Sequence, residues 1–143
     1  MSDVAKTKDE TAIDPILLSV YARTFKAITD EMSISMERTT RSPILCEAKD
    51  YVTGLYDADG RMLEQTENLP ILAFSLAPVC KHIRKTFDGD IPPGDVFFHN
   101  DVFSLGNQNN DVAVFKPVFH GEQLVAWTAV KGDQADIGGN VRG

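Results

Sequence analysis

Apolar residues recur through the first third of the chain at the spacing of one helix face. Leu17, Tyr21, Phe25, Ile28, Met32 and Met36 follow one another at intervals of four and three, which places them on one side of an α-helix. Asp14-Pro15 opens this segment as an N-cap followed by proline at the first helical position, where its missing N–H costs nothing. Ser42-Pro43 closes it, because the residue before a proline is pushed towards extended backbone. The pattern predicts a long helix ending near Thr39 or Thr40, with its stripe facing a core. Tyr51 to Leu63 predicts a β-hairpin turned by Asp57-Ala58-Asp59-Gly60, since glycine accepts a positive φ without a Cβ clash.

A second helix is expected from Ser75 to Phe87, with Leu76, Val79, Cys80, Ile83 and Phe87 on one face. Ser75 reads as its N-cap and Pro78 as a first-turn proline. Lys81, Arg84 and Lys85 are expected to face solvent near its C-terminus, with His82 at the surface among them. Beyond the Pro92-Pro93-Gly94 loop, strands are predicted at Val96 to Phe98, Val112 to Phe119 and Gln123 to Val130. His120-Gly121-Glu122 turns between the last two. The unbroken apolar run Val112-Ala113-Val114-Phe115 predicts a strand covered on both faces. The fold class that follows is α+β: a long helix, a hairpin, a second helix and a mainly antiparallel sheet.

Composition narrows the function. With 143 residues, 43% of them hydrophobic, the chain is long enough to bury a core. A net charge of −7 argues against a nucleic-acid partner, which needs clustered Lys and Arg. No apolar run is long enough for a membrane helix, and the charged start, Met1 to Glu10, is unlike a secretory leader. Residues 1–13 are expected to form a disordered or extended tail. Cys46 and Cys80 are far apart and form no CxxC pair, so two reduced thiols in a cytoplasmic protein are expected. Asp57 and Asp59 have the spacing that opens an EF-hand loop. No bidentate Glu follows where that loop needs one, so the segment reads as a turn. The chain ends in Gly138-Gly139-Asn140-Val141-Arg142-Gly143, and the expectation is an incomplete part of a larger fold.

Two polar clusters carry the candidate chemistry. His99-Asn100-Asp101 and Gly106-Asn107-Gln108-Asn109-Asn110-Asp111 precede the last hairpin, and Gly132-Asp133-Gln134-Ala135-Asp136-Ile137-Gly138-Gly139 follows it. A hairpin from Asp111 to Lys131 puts both ends at one rim of a sheet, bringing Asp111 towards Asp133 or Asp136. Paired carboxylates serve hard cations, general-base catalysis or substrate hydrogen bonding. A transition-metal site normally includes imidazole, and only His99 offers one nearby. Lys131 adds a cation suited to a phosphate or carboxylate. Asn, Asp and Gly also cluster at ordinary turns, so spacing alone leaves both readings open.

The ordered series Asp14-Pro15, Arg38-Thr39-Thr40-Arg41-Ser42-Pro43, Asp57-Ala58-Asp59-Gly60-Arg61, Pro92-Pro93-Gly94-Asp95-Val96, Asn100-Asp101, Asp111, Pro117-Val118-Phe119 and Ala135-Asp136-Ile137-Gly138-Gly139 resembles the hydantoinase B/oxoprolinase family. The resemblance covers residues 14–143, as an N-terminal portion of much longer members. It implies a heteromeric enzyme in which a hydantoinase A-like subunit binds ATP with Mg²⁺ and phosphorylates the substrate, and the B-like subunit completes the reaction. Outcomes in the family include the opening of cyclic amides and the biotin-independent carboxylation of ketones. Family members commonly carry histidine at the positions of Gln108 and Asp133, so no transition metal is expected here. The wording around Gln108 and Gln134 looks closest to the acetone and acetophenone carboxylases.

On that resemblance, Asp111, Asp136 and Lys131 are the expected catalytic residues. Asn100, Asp101, Gln108, Asp133 and Gln134 are expected to bind substrate. A ketone carboxylase subunit is the leading expectation. A hydantoinase, oxoprolinase or lactamase subunit and a non-catalytic assembly fragment are the alternatives.

Overall fold

In the computed structural model, residues 14–66, 68 and 70–139 are described. The tail expected over residues 1–13 and the last four residues lie outside them. Helix α1 (Pro15–Thr39) starts as predicted: Asp14 Oδ1 accepts from the Ile16 N–H at 2.9 Å, and Thr40 leaves the helix in extended backbone. A short helix α2 (Pro43–Cys46) follows, then strands β1 (Tyr51–Asp57) and β2 (Met62–Gln65). Helix α3 (Pro70–Thr86), β3 (Phe97–His99), β4 (Asp111–His120) and β5 (Gln123–Asp133) complete the order. The five strands form one antiparallel sheet, ordered β2-β1-β5-β4-β3. The α+β class is as expected.

The two faces of the sheet are unequally covered. Residues 51 to 56 of β1 are all buried because each face meets a helix. Thr53 Oγ1 donates to the Thr29 carbonyl of α1 at 3.0 Å, and Tyr51 Oη donates to Glu37 at 2.7 Å. On the other face Val52 and Tyr56 pack with Leu72, Leu76, Val79, Cys80 and Ile83 of α3. That core continues across Trp127 and Ala129 of β5 and Ala113 and Phe115 of β4. Burial pushes the Cys80 thiol up to about 12, so it is an inert core residue. At the end of β5 a Cβ on Gly132 would lie 2.7 Å from Leu45 Cδ2, so glycine lets Leu45 of α2 pack directly on this strand.

Several expectations are corrected. The second helix begins at Pro70, with Pro at the start of the helix; Ser75 and Pro78 lie inside it. The Ser75 hydroxyl, instead of capping, donates to the Leu72 carbonyl at 2.9 Å, the back-bond by which serine is accommodated within a helix. His82 is half-buried against β3, while Lys81, Arg84 and Lys85 are exposed as expected. The α1 stripe is only partly covered: Leu17, Tyr21 and Ile28 are exposed, Phe25, Met32 and Met36 are half-buried, and the helix's one buried residue among those described is Thr29, outside the stripe. The β4 run is covered on one face only, since Val112 and Val114 stay half-exposed on the α1 side. The last two strands extend past their predicted ends, so that Asp111 and Lys131 to Asp133 belong to the sheet. No helix among the described residues is long and apolar enough to cross a membrane.

Candidate functional site

The last hairpin brings the two polar clusters together. Asp111 and Asp133 are direct register partners at the open end of β4 and β5. The Gln134 N–H donates to the Asn110 carbonyl at 2.9 Å, and the Asp133 N–H to the Asp50 carbonyl at 3.0 Å. Three carboxylates therefore converge. Burial, followed by the charges of Asp133 and Asp111, pushes the Asp50 carboxyl up.

Lys131 and Asp111 form the centre. Both lie on the α3 face of the sheet, with side chains 2% exposed, and Lys131 Nζ is 3.8 Å from Asp111 Oδ2. The ammonium is held closer by Ser75, whose Oγ accepts from Nζ at 2.8 Å. Gln108 Nε2 donates to Asp111 Oδ1 at 3.1 Å. Burial outweighs these contacts for Asp111 and raises its carboxyl, with Gln108 and Lys131 opposing. Burial likewise lowers the Lys131 ammonium, with Asp111 opposing. Each partner is pulled towards neutrality by its surroundings and back towards charge by the other.

The remaining expected residues divide sharply. Gln108 is exposed, Asp133 is half-exposed opposite Asp111, and Gln134 is half-exposed on the α1 side with Met36, Phe98 and Val112; Asp133 Oδ1 is buried without a partner among the described residues. Asn100 donates to the Asn109 carbonyl at 3.0 Å and so shapes the loop. Asp101 caps a short 3₁₀ turn by accepting from the Phe103 N–H and the Ser104 hydroxyl. Asp136 is exposed and accepts from the Gly138 N–H at 2.8 Å in its own turn.

Three neighbours were not legible as site residues. Ser75 reaches Lys131 from α3, Asp50 approaches from the loop before β1, and His82 meets His99 edge-on with ring centroids 6.2 Å apart. His99 Nε2 is buried without a partner among the described residues, and burial lowers the ring's affinity for a proton. The signal for Ser75 was its helical spacing from Leu72; its partner lies 56 positions away.

The side chains present do not suit a transition metal at the position the family pattern implies. One Asp111 oxygen is occupied by an amide N–H and the other faces an ammonium, which repels a cation. Among the described residues no three His, Cys, Asp or Glu side chains are grouped to hold a metal. What the arrangement offers is a polar rim of Gln108 and Asp133 around Asp111, backed by a buried ion pair.

A family model described as hydantoinase B/oxoprolinase matches residues 14–143. The caprolactamase subunit beta of Pseudomonas jessenii is 38% identical over 129 residues, 90% of this chain and 22% of that one. The crystal structure of the ATP-dependent caprolactamase from that organism superposes with a TM-score of 0.84, covering 91% of this chain and 22% of its own. A nucleotide-free acetone carboxylase structure, 20% identical, shares the fold with a TM-score of 0.79 over 86% of this chain and 16% of its own. The 5-oxoprolinase of Dictyostelium discoideum is 31% identical over 90% of this chain and 10% of its own length. The chain thus spans about a fifth or less of these relatives.

Proposed function

The chain belongs to the hydantoinase B/oxoprolinase family, and on that premise we propose that it supplies one wall of the substrate site in a B-like subunit of an ATP-dependent enzyme. The leading reading is a biotin-independent ketone carboxylase of the acetone or acetophenone type. The observation that carries it is the pair Asp111 and Lys131 standing behind Gln108 and Asp133, where the family pattern has imidazoles. Carboxylating a phosphorylated enol asks for an anion-tolerant, water-excluding pocket rather than a Lewis acid on this subunit.

In this reading Gln108, Asp133 and Gln134 touch substrate. Lys131 supplies the positive field behind them, and Asp111 sets the direction of Gln108 and holds or releases a proton. Asn100 and Asp101 keep the Asn107–Asn110 loop in shape. Asp136 contributes only if its exposed turn is folded in by the rest of the subunit. ATP and Mg²⁺ belong to a hydantoinase A-like partner in a cytoplasmic hetero-oligomer, and the chain alone is inactive.

A second reading, the opening of a cyclic amide, is favoured by one specific observation: the 38% identity to a caprolactamase subunit. Assembly with the A-like subunit separates the two. Acetone- or acetophenone-dependent ATP hydrolysis with incorporation of labelled hydrogencarbonate is the expected result. ATP hydrolysis driven by caprolactam without incorporation supports the second reading. Hydrolysis that ignores every substrate, with and without this chain, leaves only an assembly role.

A further inference from the structure

We propose that Gln108 determines specificity in this site, because Asp111 fixes its side-chain amide with the carbonyl Oε1 outward, ready to accept from an N–H or O–H of the ligand. The inference rests on the reading of the two polar clusters as a substrate wall and goes on to name what that wall recognises.

The orientation follows from a hydrogen-bond chain in which every direction is set. The Ser75 hydroxyl gives its proton to the Leu72 carbonyl at 2.9 Å, so its lone pairs are free. Lys131, which has only donors, gives one to Ser75 at 2.8 Å and faces Asp111 at 3.8 Å. Ionised beside that ammonium, Asp111 is an acceptor, and the group that meets its Oδ1 at 3.1 Å is then a donor. For Gln108 this is Nε2. Turning the amide over would set two acceptor oxygens against each other at that distance. The outward group is therefore a carbonyl.

Gln108 is exposed and, with Val102, Asn107, Asn109 and Asn110, lines a hollow of about 440 Å³. A carbonyl at this position rewards a ligand carrying a hydrogen-bond donor and gives nothing to one without. A simple ketone has no donor. A cyclic amide has its N–H, and hydrogencarbonate has an O–H.

The test follows the ¹⁵N and ¹H signals of the Gln108 side-chain amide in the labelled 143-residue chain. Four probes are added separately: ε-caprolactam, N-methyl-ε-caprolactam, sodium hydrogencarbonate and acetone. A response to caprolactam assigns an amide N–H as the recognised donor; a response to hydrogencarbonate alone assigns an O–H. N-methyl-caprolactam and acetone are expected to leave the signals in place. Silence with all four probes, or an equal response to acetone or the N-methyl compound, overturns the inference. The variant D111N removes the lock, since an amide offers both donor and acceptor, and its preference for caprolactam over the N-methyl compound is expected to fall below about twofold. The titration needs neither ATP nor turnover, so it fails or succeeds separately from the ketone or lactam assignment.

Discussion

Two charge clusters in this molecule look alike in sequence and behave oppositely in structure. The turn between β1 and β2 gathers Asp57, Asp59 and Arg61, with Arg84 arriving from α3. Asp57 Oδ1 accepts from the Asp59 and Arg61 N–H groups at 2.9 and 2.8 Å, and Arg61 and Arg84 cover Asp59 at 2.8 and 3.1 Å. Every carboxylate there is answered locally, at the surface. At the end of β4 and β5 the charges are buried and held apart at 3.8 Å, and Asp133 keeps an oxygen with no partner among the described residues. The first cluster is a finished turn. The second has hydrogen-bonding capacity left over, which is what a binding site requires and what a turn does without.

Removing single charges is the strongest way to break this contrast. Lys131→Met leaves Asp111 buried with no cation, and chemical denaturation is expected to show a loss of about 3–5 kcal/mol. Arg61→Ala in the exposed turn is expected to cost less than about 1 kcal/mol, because water screens that pair. Equal losses would erase the distinction between the clusters.

A second, smaller effect lies in the pH dependence. The Asp111 and Asp50 carboxyls are raised, so the folded state binds their protons more tightly than the unfolded chain. Stability contributed by these protons is present below the ordinary carboxylate range and is lost as pH climbs through the raised values. Asp111→Asn is expected to flatten that decline in a series of denaturation curves on the acid side of neutrality. Arg61→Ala should leave it unchanged. An unaltered slope in Asp111→Asn would mean that Asp111 titrates as it does in the unfolded chain.

The smallest effect concerns Ser75. Ser75→Ala keeps the helix, since alanine is the better helix former, and removes only the acceptor of Lys131. The Lys131 ammonium, already lowered by burial, is expected to titrate lower still when its side chain is followed by NMR. Ser75→Thr restores a hydroxyl and should return the titration close to that of the unmodified chain. A Lys131 midpoint indifferent to both changes would make Ser75 a bystander.

How much was legible in sequence depends on whether the cause was local. Asp14-Pro15 and Ser42-Pro43 bound α1 correctly because caps and pre-proline sterics act within a few residues. The Asp57–Gly60 turn was readable for the same reason. Ser75 was misread as a cap: its hydroxyl does make a local bond, but back to Leu72 within a helix that Pro70 had already begun. The amphipathic stripe of α1 was real, yet periodicity reports which face is apolar and says nothing about what covers it. The same limit applied to Val112 and Val114, which lie on a sheet face that α1 reaches only in part. At the site, the meeting of Asp111 and Asp133 followed from hairpin geometry. The local turn that occupies Asp136 did not, because it forms beyond the end of β5 at Asp133. Nor did the contacts from α3 and from Asp50, which depend on helix docking across the sheet.

Substrate-stimulated ATP hydrolysis, measured in the assembled enzyme with either the unmodified chain or Gln108→Ala, tests most directly that the joined clusters form a substrate wall. Full stimulation is expected with the unmodified chain, and loss of at least about tenfold with Gln108→Ala at matched assembly. Stimulation that is the same with both chains would contradict it.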